Sequence, residues 1–252
     1  MTKAEKAVRE ALDRCLGVQV THTLSTTALE ILSYAKPLTE ELRKLMQSRI
    51  DWTAPGSLHR IRPDELDGIL EGAGNEVANG FQRLKSQALV ALWGGLEVLT
   101  EDLFVAWVAE FPKCLEHEVF QKLRVPLADF IRLDEESRIR SLYHVYLGSL
   151  PGVRAMGVSR FEATIQPLGL SGPVEEDVAR AIYELHLLRN LIVHQAARAD
   201  LRFHQTEFGE SCPLGENVYL HDVQFRNYVA AVSAYGHAVL DRVTQRIRLT
   251  SA

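Results

Sequence analysis

Residues 174–197 read VEEDVARAIYELHLLRNLIVHQAA. At about 100° per residue, Val178, Ile182, Leu185 and Ile192 fall within one apolar stripe, so the stretch predicts an amphipathic helix with a face to bury. Arg189 projects into the middle of that stripe. A guanidinium aimed at a core is expensive unless it is paired or lines a cavity. A structural ion pair, or an arginine that snorkels to the rim, accounts for it as well as a functional cation does.

Outward from this helix the same periodicity dominates. Ala4, Ala7, Val8, Ala11, Leu12 and Cys15 share a face of a short helix over residues 2–16. A second helical segment is expected from about 26 to 50, interrupted at Lys36-Pro37, because proline removes a donor and restricts the residue before it. Residues 52–63 read as a loop, and Pro63-Asp64-Glu65 starts a further helix that Gly72-Ala73-Gly74 punctuates. One long helix is expected over 75–111, ended by Pro112. Shorter helices follow at 112–123, 126–133 and 134–147, and a final one at about 222–248.

Two stretches resist a helical reading. Residues 148–173, rich in glycine and proline, are expected to be largely loop, with a helical turn or two at 161–168. Residues 201–220 place Phe203, Phe208, Val218 and Tyr219 around Gly209 and Gly215, which suggests a small β-hairpin or an extended excursion. The expected fold is therefore all-α: a helical N-terminal extension, residues 1–74, and a helical bundle, residues 75–252.

Composition narrows the function classes. The chain has 252 residues, 46% hydrophobic and 24% charged, with a formal net charge of −5, which excludes disorder and low complexity. A pI near 6.0 argues against a broadly basic duplex-DNA grip and leaves room for a local basic pocket. Three cysteines, Cys15, Cys114 and Cys212, form no CxxC pair, so neither a disulfide framework nor a structural zinc site is expected. The first ten residues carry charge throughout, so no signal peptide is expected. The most apolar stretch, 88–109, holds Glu97, Glu101 and Asp102, which a membrane span would not tolerate. A cytoplasmic protein is the expectation.

Asn190 follows Arg189, and His194 comes four residues later, about 40° round the helix and about 6 Å along it. As a bare spacing, arginine then histidine selects nothing, because with four to six intervening residues allowed Arg138/His144, Arg180/His186 and Arg198/His204 match as well. Context selects: only Arg189 is followed by a polar amide and an apolar triplet near the end of a strongly amphipathic helix. Here the sequence resembles the HEPN superfamily, whose signature is arginine, a polar residue, and histidine after four to six positions. The wider run from Gly169 through Arg189-Asn190-Leu191-Ile192-Val193-His194 to Phe203 resembles the RiboL-PSP-HEPN and related bacterial branches, over about residues 80–248. One departure stands out. The family often has glycine soon after the histidine, whereas this chain has Gln195-Ala196-Ala197-Arg198, which allows the helix to run on past His194.

The 75–111 helix supplies a second element. Leu89, Leu92, Trp93, Leu96, Leu99, Leu103, Phe104 and Trp107 form its apolar face, and Glu97 sits at the edge. Glu97 is either a solvated rim residue or the acid that makes a buried arginine tolerable. The resemblance implies an acid on this helix that orients the motif, which makes Glu97 the candidate partner of Arg189. Glu101 and Asp102 are expected to face solvent. Gly94-Gly95 weakens the helix by roughly 1 kcal/mol per glycine, which a close helix crossing on that side would offset. His117-Glu118 and His221-Asp222 are adjacent pairs without helical zinc-ligand spacing, and neither GxxxxGK[ST] nor HExxH occurs, so no metal and no cofactor are expected.

The resemblance implies an endoribonuclease that needs no metal, with Arg189, Asn190 and His194 as catalytic residues and a 2′,3′-cyclic phosphate product. Histidine titrates near neutral pH and suits proton transfer, and arginine stays charged and suits a phosphate. Arg189 and His194 lie about 140° apart on an ideal helix, so one chain converges poorly on one phosphate. A homodimer that brings two motif helices together across a two-fold axis removes the difficulty. The expected partners are RNA, a second copy of the chain and, by resemblance to toxins and defence effectors, a separate antitoxin protein. The alternative is a HEPN-like dimerisation or RNA-binding module without chemistry, which the acidic net charge favours slightly.

Overall fold

A computed structural model describes residues 1–35, 63–150 and 156–250. Among the described residues the chain is all-α, with ten α-helices and no β-strand. The expected break at Lys36-Pro37, the helix beyond it and the 52–62 loop lie outside the described residues. Two compact units are present. Residues 1–19 and 88–252 form the first, and residues 20–87 form the second.

Helix α1 is continuous from Lys3 to Ala35, where two helices were expected. Gly17 is the sole breaker between them, and about 1 kcal/mol of lost propensity does not end a helix. The two helices expected on either side of Gly72–Gly74 are present with their break displaced, as α2 (Pro63–Ala78) and α3 (Gln82–Glu110). Gly72 and Gly74 stay helical, and the break falls at Gly80, whose φ of +62° supplies the left-handed turn that stops a helix. The 112–123 segment is a 3₁₀ turn, Pro112–Glu116, followed by α4 (Glu118–Gln121).

Next come α5 (Leu127–Arg132) and α6 (Glu135–Ser149), where Asp134 caps α6 by accepting the Ser137 N–H at 2.9 Å. The 148–173 stretch is more helical than its glycine and proline content suggested. It holds α7 (Val158–Ile165) and a 3₁₀ turn, Gln166–Leu168. Phe161 and Ile165, 2% exposed each, anchor α7 by their apolar faces.

Helix α8 (Glu176–Gln195) carries the motif, α9 (Leu201–His204) is one turn, and α10 (Asp222–Thr250) closes the fold. The 201–220 stretch is an excursion of turns rather than a hairpin. A single antiparallel bridge between Arg198 and Asn217 closes it, with Val218 N–H donating to the Ala197 carbonyl at 2.8 Å.

The core of the first unit is built by α3, α8 and α10, joined by the start of α1 and by α7. Leu89, Leu92, Leu96 and Leu103 on α3 are fully buried, as are Ile182 and Leu185 on α8 and Val239 and Val243 on α10. Each such side chain contributes about 1.5–3 kcal/mol on leaving water. Ala4, Val8 and Ala11 of α1 are fully buried, and Cys15 packs against Gly95. The close crossing expected at the glycine pair is therefore present at Gly95.

Candidate functional site

Helix α8 starts favourably, with Glu176 and Asp177 in its first turn where the helix dipole favours acids. Its widest packing is against α10. Leu185, Leu188 and Leu191 bury one side of the helix. Arg189 is left half-buried at the margin of that face.

Among the described residues the Arg189 guanidinium has one hydrogen-bond partner. Its Nη1 donates to the Oδ1 of Asn190 at 3.1 Å, and its Nε is out of reach of solvent with no hydrogen bond. Glu97 does not supply the expected counter-charge. Its carboxylate pairs with Arg160 of α7 at 3.2 Å instead. Arg160 arrives from a segment whose helical character was underestimated, and it takes the acid that Arg189 was expected to hold. Glu101 and Asp102, expected to face solvent, are drawn into pairs with Arg140 and Arg14.

His194 is exposed in the last turn of α8. The helix ends one residue later and does not run on. Ala196 and Ala197 both adopt left-handed conformations, with φ of +52° and +62°, and the Ala197 N–H closes on the Leu191 carbonyl at 3.0 Å. Alanine pays roughly 1–2 kcal/mol for this conformation, which glycine adopts freely. The backbone thus makes the glycine-type stop without a glycine, and backbone strain sits directly beside His194.

The reversal after His194 brings the next segment back alongside α8. Asn190, His194, Gln195, Asp200 and Arg202 line one groove of about 260 Å³, floored by Leu187, Leu191 and Phe203. Asp200 is committed to the fold, since its Oδ1 accepts the Phe203 N–H at 2.7 Å as the cap of α9. Asn190 and His194 therefore come together, as their spacing implied. Arg189 reaches the groove only through Asn190. Arg202 is the groove residue that spacing alone did not single out, although it lay inside the run that carried the resemblance.

His186, one turn before Arg189, is a second residue the spacing left unselected. Its Nδ1 accepts the Gly157 N–H at 3.1 Å, which leaves the proton of the neutral ring on Nε2. Gly157 is held at φ +61° against α8, where a Cβ would stand 2.9 Å from the Tyr183 Cα. Burial first, then the fields of Arg160, Arg202 and Arg189, push the His186 pKa down to about 4. The ring is neutral at pH 7.

Trp93 and Trp107, expected at core spacing, are buried at 2% and 3% exposure. Among the described residues no helix is long and apolar enough to cross a membrane, and no three His, Cys, Asp or Glu side chains gather as metal ligands. Comparison with protein-family models, with curated proteins and with solved structures returns no match to this chain.

Proposed function

We propose that this protein is a HEPN-type endoribonuclease that cleaves single-stranded RNA without a metal, through Arg189, Asn190 and His194 of two chains. One observation carries the reading: an exposed histidine and an asparagine share an open groove with an arginine, while the motif arginine is tethered to that same asparagine. The spacing and the context of the motif support it further.

In the reaction, His194 of one protomer takes the proton from a ribose 2′-OH as the 2′-oxygen attacks phosphorus. The P–O5′ bond breaks, and His194 of the second protomer gives its proton to the leaving 5′-oxygen. The products are a 2′,3′-cyclic phosphate and a 5′-hydroxyl. Arg189 offsets the charge that builds on the phosphate, and Asn190 holds that guanidinium by their hydrogen bond. Single strands are the substrate because in-line attack needs a linkage that A-form geometry restrains. A cytoplasmic toxin or defence effector, held by a separate antitoxin, fits such an activity.

The test is incubation of the purified protein with single-stranded RNA in EDTA. Cleavage is expected, with 2′-deoxy substitution at the scissile position abolishing it. Sedimentation should give a dimer at micromolar concentration. Intact RNA after incubation with a dimer overturns the enzymatic reading in favour of a dimerisation or RNA-binding module.

A further inference from the structure

Beside the groove lies a concentration of positive charge, of which the cleavage reaction uses Arg189 alone. Arg160 on α7, Arg189 on α8 and Arg202 on α9 all act on the half-buried ring of His186. The contacts that gather them are specific. Gly157 donates to His186, Arg202 reaches the sulfur of Met156 next to Gly157, and Arg160 lies one turn further along α7. Trp93 closes the other side of the imidazole, ring centroid to ring centroid at 4.6 Å.

Negative charge is in short supply there. Glu97 answers Arg160, and the one groove carboxylate, Asp200, caps α9. Arg189 keeps a buried Nε without a partner, and Arg202 is exposed on the groove wall. Arg189 and Arg202 have no carboxylate partner among the described residues, and an anion seated beside them relieves their repulsion. Their planar forks suit phosphate oxygens in particular. His186 stays neutral and adds no competing charge.

We propose that Arg160 and Arg202, converging with Arg189 on His186, form a phosphate-binding subsite that holds the RNA strand at a linkage beside the one being cleaved. The identity of the strand rests on the ribonuclease reading; the affinity for phosphate does not. Because the contacts go to phosphate, the subsite grips any sequence and fixes the register of the strand against His194.

The experiment measures binding of a 2′-O-methyl oligonucleotide, which cannot be cleaved, to the full-length protein over a range of salt, with inorganic phosphate as competitor. Arg202→Gln is expected to weaken binding about tenfold at low salt and to lower the log–log salt slope by about one. Arg160→Gln is expected to weaken it in the same direction. Arg124→Gln, which removes the same charge at an exposed position elsewhere, is expected to stay within about twofold of the unmodified protein. Phosphate should compete with the oligonucleotide and shift the His186 ring resonances. No binding by the unmodified protein, or equal behaviour of Arg202→Gln and Arg124→Gln, overturns the proposal. A cleavage assay on ordinary RNA separates the two ideas. Selective binding without cleavage leaves the subsite standing and removes the nuclease, whereas cleavage with unselective binding does the reverse.

Discussion

The imidazole of His186 stands edge-on to the indole of Trp93, their planes 66° apart and their centroids separated by 4.6 Å. This contact joins α3 to the motif helix and fixes the ring about which the arginines gather. Burial, three guanidinium groups and a backbone N–H donor all oppose a second proton on that ring.

A pH dependence of stability follows. The pKa of His186 lies at about 4 in the folded chain and near 6.5 when unfolded, so below pH 6.5 the unfolded state binds the extra proton. Stability is therefore lost as pH falls from about 6.5 to 4. Linkage sets a ceiling of roughly 3 kcal/mol, and partial exposure of the ring reduces this to about 1–2 kcal/mol. His186→Gln should flatten that part of the profile in denaturant melts at each pH. Parallel profiles for the two proteins would contradict it.

His194→Ala should lower RNA cleavage by about 10²–10⁴-fold, the range for loss of a general acid–base group, with the melting temperature unmoved. The residue is exposed, so a large loss of stability would mean that it serves the fold.

Arg189→Met should abolish cleavage while leaving stability within about 1 kcal/mol of the unmodified protein. The thioether fills the stem's volume and removes a desolvated Nε that has no partner. Thermal melts beside the cleavage assay check both halves. A fall of about 3 kcal/mol or more, the cost of breaking a buried ion pair, would reveal a counter-charge on Arg189.

Neighbouring glycines of α3 should respond with opposite signs. A Cβ at Gly94 meets nothing within 4 Å, so Gly94→Ala should stabilise by about 0.5–1 kcal/mol through helix propensity. A Cβ at Gly95 would stand 2.6 Å from the buried Cys15 Sγ, so Gly95→Ala should destabilise by about 1–3 kcal/mol. Denaturant midpoints of the two variants decide it, and a shift of the same sign in both would refute the crossing.

Ala196→Gly should raise stability by about 1 kcal/mol, or about 2–4 °C in Tm for a chain of this size, by removing left-handed strain. Calorimetry reads this directly, and an unchanged or lower Tm counts against the strained stop.

Periodicity made the helices legible, and the apolar faces of α1 and α3 were readable almost residue by residue. On α8 the buried face is Ile182, Leu185, Leu187, Leu188 and Leu191, turned from the expected stripe so that Arg189 falls at its margin. Breaks were harder. Gly72, Gly74 and Gly80 are equivalent as letters, and only Gly80 takes a left-handed φ. The motif residues on one helix were legible because helix geometry fixes which of them can share a groove. The partner of Glu97 was not. Periodicity places Glu97 at an edge, but which arginine reaches that edge depends on how α7 packs, and Arg160 gets there first. His186 was within reach, since it lies three residues before Arg189 on the same helix.

The reversal at Ala196 and Ala197 has a consequence for how the groove comes into being. Every residue that lines it lies between Leu187 and Phe203, so its walls come from one short, continuous piece of chain. Loops of that length close in well under a microsecond, and the entropy of bringing the two walls together is small. The groove is thus a local property, ready as soon as α8 and its reversal form. Arg160 and Glu97 must be delivered from far along the chain by the assembled bundle. Loosening the bundle should carry Arg160 away from Arg189 and Arg202 first and leave Asn190 and His194 side by side on the wall of an intact groove.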